Sequence, residues 1–190
     1  MIERRYYIAI GLVLLISCNL NLQEELPVIK TTPSFQLIDQ DNRAFTDKNF
    51  LGKITVLDFI FTTCMGPCPI MASNMKSLYE QYKKNDKIQF VSITVDPQYD
   101  NQKILKEYSE NQGVSDSRWK FLTGEIDSIK TISQDGFLLF ADDLPIGHSI
   151  KFVLIDDKKR IRKYYNGMDL SEIKILKKDI KKLSTHLIDK

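Results

Sequence analysis

The residues best suited to chemistry gather in the stretch FIFTTCMGPCPIM, residues 59–71, where three residues separate Cys64 from Cys68. Thiolates of this kind exchange with disulfides or bind a soft ion; they suit Cu(I), whereas Zn(II) prefers four ligands. A disulfide closing so small a loop would stabilise little through chain entropy, so the pair reads as chemical rather than structural. Two thiolates alone enclose a metal poorly and favour a redox role, and a third ligand would shift that balance. The chain offers two histidines. His186 lies in a polar, lysine-rich segment and reads as a solvated surface residue. His148, in ADDLPIGHSIKFVLID, follows a loop with Pro145 and Gly147 and immediately precedes a strand, which makes it the candidate third ligand. Met65 is a further soft donor, expected to pack over the site; Met71 and Met75, four apart, are expected in the core.

The elements that must position these residues follow from periodicity. ITVLDFIF (54–61) is a near-continuous apolar run, as in a strand buried on both faces, and it delivers the chain to Cys64. Residues 69–84 carry helical spacing. Cysteines at such a strand-to-helix junction face helix N-terminal amides, which favour a thiolate. IQFVSITV (88–95) is a second buried strand, and Asp100 is the expected cap of the helix NQKILKEYSENQG. WKFLTG (119–124) is a short strand and EIDSIKTISQDG (125–136) a helix closed by Gly136. SIKFVLID and RIRKYYNG form a hairpin around residues 157–159, and Ser171 is the expected cap of a last helix. SFQLID and RAFT (34–46) suggest a short hairpin before all of these. The order β-α-β-α-β-α-β-β-α argues for an α/β fold with a mixed sheet flanked by helices, and a terminal hairpin after a βαβ start is the thioredoxin-like pattern. Asp58 stands mid-strand in the first buried run, where an unpaired carboxylate costs several kcal/mol, so it reads as an edge or paired residue.

The start of the chain is organised differently. MIERRYYIAIGLVLLISC places Arg4 and Arg5 before an apolar run too short to span a bilayer comfortably, matching a signal-peptide core. Its end, Leu15-Ile16-Ser17-Cys18, resembles the lipobox of bacterial lipoproteins, in which the cysteine is acylated. The expected organisation is a signal peptide over 1–17, lipidated Cys18 and a tether over 18–30, and one domain over 31–190. That places the domain in the cell envelope, anchored to a membrane on its extracytoplasmic (periplasmic) side, where thiols tend to oxidise. With 27 basic and 25 acidic residues the net charge is +2, which gives no electrostatic case for nucleic acid.

FIFTTCMGPCPIMASNM, VSITVDPQYDNQKILKEYSE and GHSIKFVLID, in that order, resemble the Sco/SenC copper proteins over about residues 30–185. The resemblance implies a membrane-tethered thioredoxin-like domain that binds one copper, as Cu(I) or Cu(II), through Cys64, Cys68 and His148. It also implies a role in delivering copper to, or reducing the thiols of, the binuclear copper site of cytochrome c oxidase. Asp96, in Val95-Asp96-Pro97, matches a structural turn of the family. Two features depart from its pattern. Proline and an acid usually follow the first cysteine, whereas this chain has Met65 and Gly66, so the loop reads CMGPC, near the CGPC of thioredoxins. Asp58 matches a thioredoxin aspartate that helps move protons. These features keep a second reading open, a thiol-disulfide oxidoreductase with Cys64 as attacker, Cys68 as resolving thiol and Asp58 as proton relay. Peroxide reduction usually wants an arginine near the thiol, and none lies between residues 44 and 117.

Overall fold

The computed structural model describes residues 25–141, 144, 145 and 147–188. The signal-peptide and lipobox segment with Cys18 lies outside the described residues, as does the side chain of His186. Eight strands form one mixed sheet: β1 (Lys30–Thr31), β2 (Gln36–Asp39), β3 (Ala44–Thr46), β4 (Ile54–Ile60), β5 (Ile88–Thr94), β6 (Trp119–Thr123), β7 (Lys151–Ile155) and β8 (Arg160–Asn166), in the order β1-β8-β7-β4-β5-β6-β2-β3. The helices are α1 (Cys68–Gln81), α2 (Gln102–Asn111), α3 (Ile126–Thr131) and α4 (Leu170–Ile188). This is the expected mixed sheet with flanking helices.

β4 is central, parallel to β5 and antiparallel to β7, and all seven of its residues are buried. Its alternation divides the core. Ile54, Val56 and Ile60 pack with Met71, Met75 and Leu78 of α1 and with Ile173, Leu176 and Ile180 of α4. Leu57 and Phe59 face the other layer, with Ile129 of α3 and Phe35, Phe45 and Phe50. Successive strand residues point to opposite faces, so Asp58 lies on the α1 side between Val56 and Ile60. Met71 and Met75 are core residues, as their spacing predicts.

Several local expectations are corrected. Asn101, not Asp100, caps α2, its Oδ1 accepting from the Ile104 N–H at 3.1 Å. Asp100 is fully buried and used elsewhere. Asp169 rather than Ser171 caps α4: its Oδ1 accepts from the Ser171 N–H and hydroxyl, both at 2.7 Å. α1 begins at Cys68, one residue before the expected start, because Pro69 and the preceding Pro67 suit a first turn that needs few N–H donors. The helix expected over 125–136 is α3 followed by a wider turn over Ile132–Gly136, where the Phe137 N–H reaches the Ile132 carbonyl at 2.9 Å. Asp58 is not at an edge: it is 1 % exposed in the middle of the sheet.

The chain docks before β1. The Arg162 guanidinium, itself buried, donates to the carbonyls of Leu26 and of Pro27 (3.0 Å for the latter) and to Asp156 at 2.7 Å. Among the described residues no helix is long and apolar enough to cross a membrane.

Candidate metal centre

The loop after β4 and the residue before β7 meet at one end of the sheet because β4 and β7 are antiparallel neighbours. That adjacency brings His148 to the cysteines. The ligand atoms of Cys64, Cys68 and His148 all lie within 4.8 Å of one another, and they form a group of metal-ligand type among the described residues. Cys68 Sγ is 3.4 Å from His148 Nε2. Cys68 is 2 % exposed and His148 8 % exposed, while Cys64 is half-buried; the two cysteines are free thiols.

His148 is held for ligation. Its Nδ1 lies 3.2 Å from the Ser149 carbonyl, which can only accept, so the neutral ring carries its proton there and presents the Nε2 lone pair to Cys68. Phe61 packs edge-to-face against the ring at 5.4 Å. Burial lowers the imidazole pKa against the opposing pull of the Ser149 and Phe59 carbonyls, which favours the neutral, ligating form. The Leu144–Pro145 peptide in the preceding loop is cis.

The expectation that the helix N-terminus favours a thiolate does not hold for Cys68. Burial, followed by the neighbouring Cys64 thiol, pushes Cys68 up to about 12, and the Phe61 backbone offsets little of this. Desolvation is the largest cause. Burial thus favours the Cys68 thiol over the thiolate, with the thiol donating toward His148 Nε2, and a bound metal would displace that proton.

Beneath this group lies Asp58. Burial raises its carboxyl to about 7 against the pull of Ser92, its neighbour across the β4–β5 pair. Its Oδ1 has no hydrogen-bond partner. The Ser92 hydroxyl accepts from the Trp119 indole N–H at 3.0 Å. Asp100, read from the sequence only as a cap, fixes the approach to the cysteines instead. Its Oδ2 accepts from the Thr62 N–H at 3.0 Å and the Thr94 hydroxyl at 2.6 Å, and its Oδ1 accepts from the Thr62 hydroxyl. The aspartate four residues after Asp96 in VDPQYD carried that signal, but only the parallel β4–β5 pairing puts it beside Thr62.

Met65 does not pack over the site: it is 96 % exposed. A side chain at Gly66 would meet open space, so the departure from an acid there has no steric cause. The donor set fits a soft ion. Bonds of about 2.3 Å to sulfur and about 2.0 Å to nitrogen keep any two ligands within about 4.6 Å. The observed spread exceeds this by a few tenths of an ångström, a closure the loop-borne Cys64 can make.

The SCO1/SenC family model matches residues 23–185. The chain belongs to the SCO1/SenC family. It is similar to a SCO1/SenC family lipoprotein from Bacillus anthracis, with 33 % identity, a TM-score of 0.75, and coverage of 82 % of this chain and 95 % of that one. A second SCO1/SenC structure, BsSco, is described by a disulfide switch and as a member of the Sco family of cytochrome c oxidase assembly proteins. It is 27 % identical, with a TM-score of 0.75, over 86 % of this chain and 99 % of its own. A third, ScoI of Arabidopsis thaliana with copper bound, is 26 % identical, with a TM-score of 0.68, over 80 % and 99 %.

Proposed function

We propose that this chain is a membrane-tethered copper-binding protein that delivers copper to, or reduces the thiols of, the binuclear copper site of cytochrome c oxidase. The observation that carries this reading is the convergence of Cys64, Cys68 and His148 within 4.8 Å. Two thiolates and a neutral imidazole make a three-coordinate Cu(I) site that can expand for Cu(II), and release proceeds by ligand exchange with a partner's thiols, without covalent catalysis. The copper-bound Arabidopsis structure and the oxidase-assembly description of BsSco support the cargo and the partner class. Residues 1–17 serve as signal peptide and Cys18 as lipid anchor, in line with the lipoprotein from Bacillus anthracis. Copper K-edge absorption of the Cu(I)-loaded protein tests the ligand set: two sulfur scatterers and one nitrogen are expected, and a site lacking nitrogen would remove His148 from it.

The free dithiol favours a second reading as a thiol-disulfide oxidoreductase, supported by the disulfide switch of BsSco. The half-buried Cys64 attacks a partner disulfide and forms a mixed disulfide. Cys68 then attacks the Cys64 sulfur, releasing the partner as a dithiol and leaving Cys64–Cys68 oxidised. Above about pH 7, where its carboxyl ionises, Asp58 is the candidate acceptor for the Cys68 proton.

A further inference from the structure

We propose that the pole of the domain opposite Cys64, Cys68 and His148 is a docking surface for an anionic lipid bilayer, and that it holds the cysteine–histidine centre facing away from the membrane. The inference rests on the reading of Cys18 as a membrane anchor.

The topology sorts charge between the two poles. β4, β5 and β6 are parallel, so the segments entering them lie at one pole and the segments leaving them at the other. The entering segments are basic. The exposed Lys83, Lys84 and Lys87 follow α1, and the Lys87 carbonyl accepts from the Ile54 N–H at 2.8 Å, which fixes this loop beside the start of β4. Lys53 stands next to it, and the Gly52 N–H donates to the Asp157 carbonyl at 2.8 Å, joining the β7–β8 turn and its exposed Lys158 to the same pole. α4 runs back down to bring Lys182 there. Of the carboxylates at this pole, Asp41, Asp47, Asp116 and Asp156 are salt-bridged, and Glu25, Glu80, Asp86, Glu110 and Asp157 are outnumbered by the lysines named above. Leu51, 55 % exposed, adds an apolar side chain to the same turn, a mixture suited to a headgroup layer.

The leaving segments at the cysteine pole are acidic. Asp96 follows β5, Glu125 and Asp127 follow β6, and Asp169 and Glu172 follow β8, against the cations Lys103, Lys151 and Lys174. An anionic surface attracts one pole and repels the other.

The anchor reaches the basic pole. Glu25 and Leu26 line a cleft of about 290 Å³ with Asp157, Lys158, Arg160, Arg162 and Lys182, and Arg162 clamps the Leu26 and Pro27 carbonyls there. Six residues separate Cys18 from Glu25, and the seven steps between them span at most about 25 Å of extended chain. The seven residues of β4 hold the poles about 20 Å apart. The tether enters beside the basic cleft, which makes that pole the nearer of the two to the anchor, and the charge asymmetry sets which pole faces the headgroups.

The test reconstitutes the full chain into vesicles of phosphatidylcholine alone or with phosphatidylglycerol. Flotation reports the anchor, and lysine acetylation mapped by mass spectrometry reports docking. The expected result is several-fold slower acetylation of Lys84, Lys87, Lys158 and Lys182 on the anionic vesicles only, with Lys151 unchanged and the protection lost in 1 M salt, where screening acts within about 3 Å. In the triple variant Lys53→Glu, Lys84→Glu, Lys158→Glu, the protection of Lys87 and Lys182 is expected to disappear while flotation persists. A chain that floats with both vesicle types yet labels identically on both overturns the docking and leaves the anchor standing. A chain that floats with neither overturns both.

Discussion

Cys68 Sγ and His148 Nε2 stand 3.4 Å apart although 80 positions separate them in the chain. The contact exists because β7 lies antiparallel against β4, so the start of one strand meets the end of the other. A histidine so placed, with its proton parked on Nδ1, supplies the borderline nitrogen donor that Cu(II) favours. His148→Ala is expected to weaken Cu(II) binding by more than the roughly 10–100-fold that disturbing an outer-shell partner costs, and to leave thiol exchange at Cys64 nearly intact. Chelator competition for Cu(II) alongside a dithiol-exchange assay checks both parts; unchanged Cu(II) affinity would remove His148 from the ligand set.

The two cysteines should react unequally. Cys64 is half-buried, whereas Cys68 is 2 % exposed with its thiol pushed up to about 12. Iodoacetamide at pH 8 is expected to modify Cys64 at least tenfold faster, because the thiolate is the nucleophile and access limits the rest. Peptide mapping after partial alkylation reads this directly, and equal labelling would contradict the buried, protonated Cys68.

Asp58 makes stability depend on pH. Its folded value of about 7 lies above its ordinary value of 3.8 because burial disfavours the charged form. The folded state therefore holds the proton more tightly than the unfolded chain. The associated stability is fully present below about pH 4 and is lost as pH rises through about 7, a loss on the order of 4 kcal/mol. Urea unfolding of the wild type and of Asp58→Asn from pH 4 to pH 8 should show the gap between the two curves shifting toward the variant across that range. A constant gap would contradict a neutral buried Asp58.

Asp100 acts as a clamp on the approach to the cysteines, joining Thr62 to Thr94. Asp100→Ala removes charge-assisted bonds and strands buried donors, at about 3 kcal/mol. For a domain of this size that is about 10 °C in Tm. Calorimetry of the apo protein checks it, and a shift of less than about 2 °C would show that Thr62 is held by other contacts.

Much of this was legible in the chain. The unbroken apolar run ahead of Cys64 announced a central strand, and the helical spacing of Met71 and Met75 announced the core face of α1. Patterns of this kind are local, and local periodicity reports burial faithfully. The roles of Asp100 and Arg162 were not legible. One bonds 38 positions back to Thr62 and the other 135 positions back to Pro27, and capping rules see only a few residues. The raised Cys68 thiol was not legible for a related reason: the helix terminus is visible in sequence, but the depth of burial that raises the thiol is not.

The central claim is that Cys64, Cys68 and His148 form one copper site. Anaerobic titration of the reduced protein with Cu(I) against a competing chelator, repeated for Cys64→Ser and Cys68→Ser, tests it most directly. The account predicts tight binding of one Cu(I) per chain that either substitution abolishes. Weak or non-stoichiometric binding, or binding that survives loss of either cysteine, would contradict it.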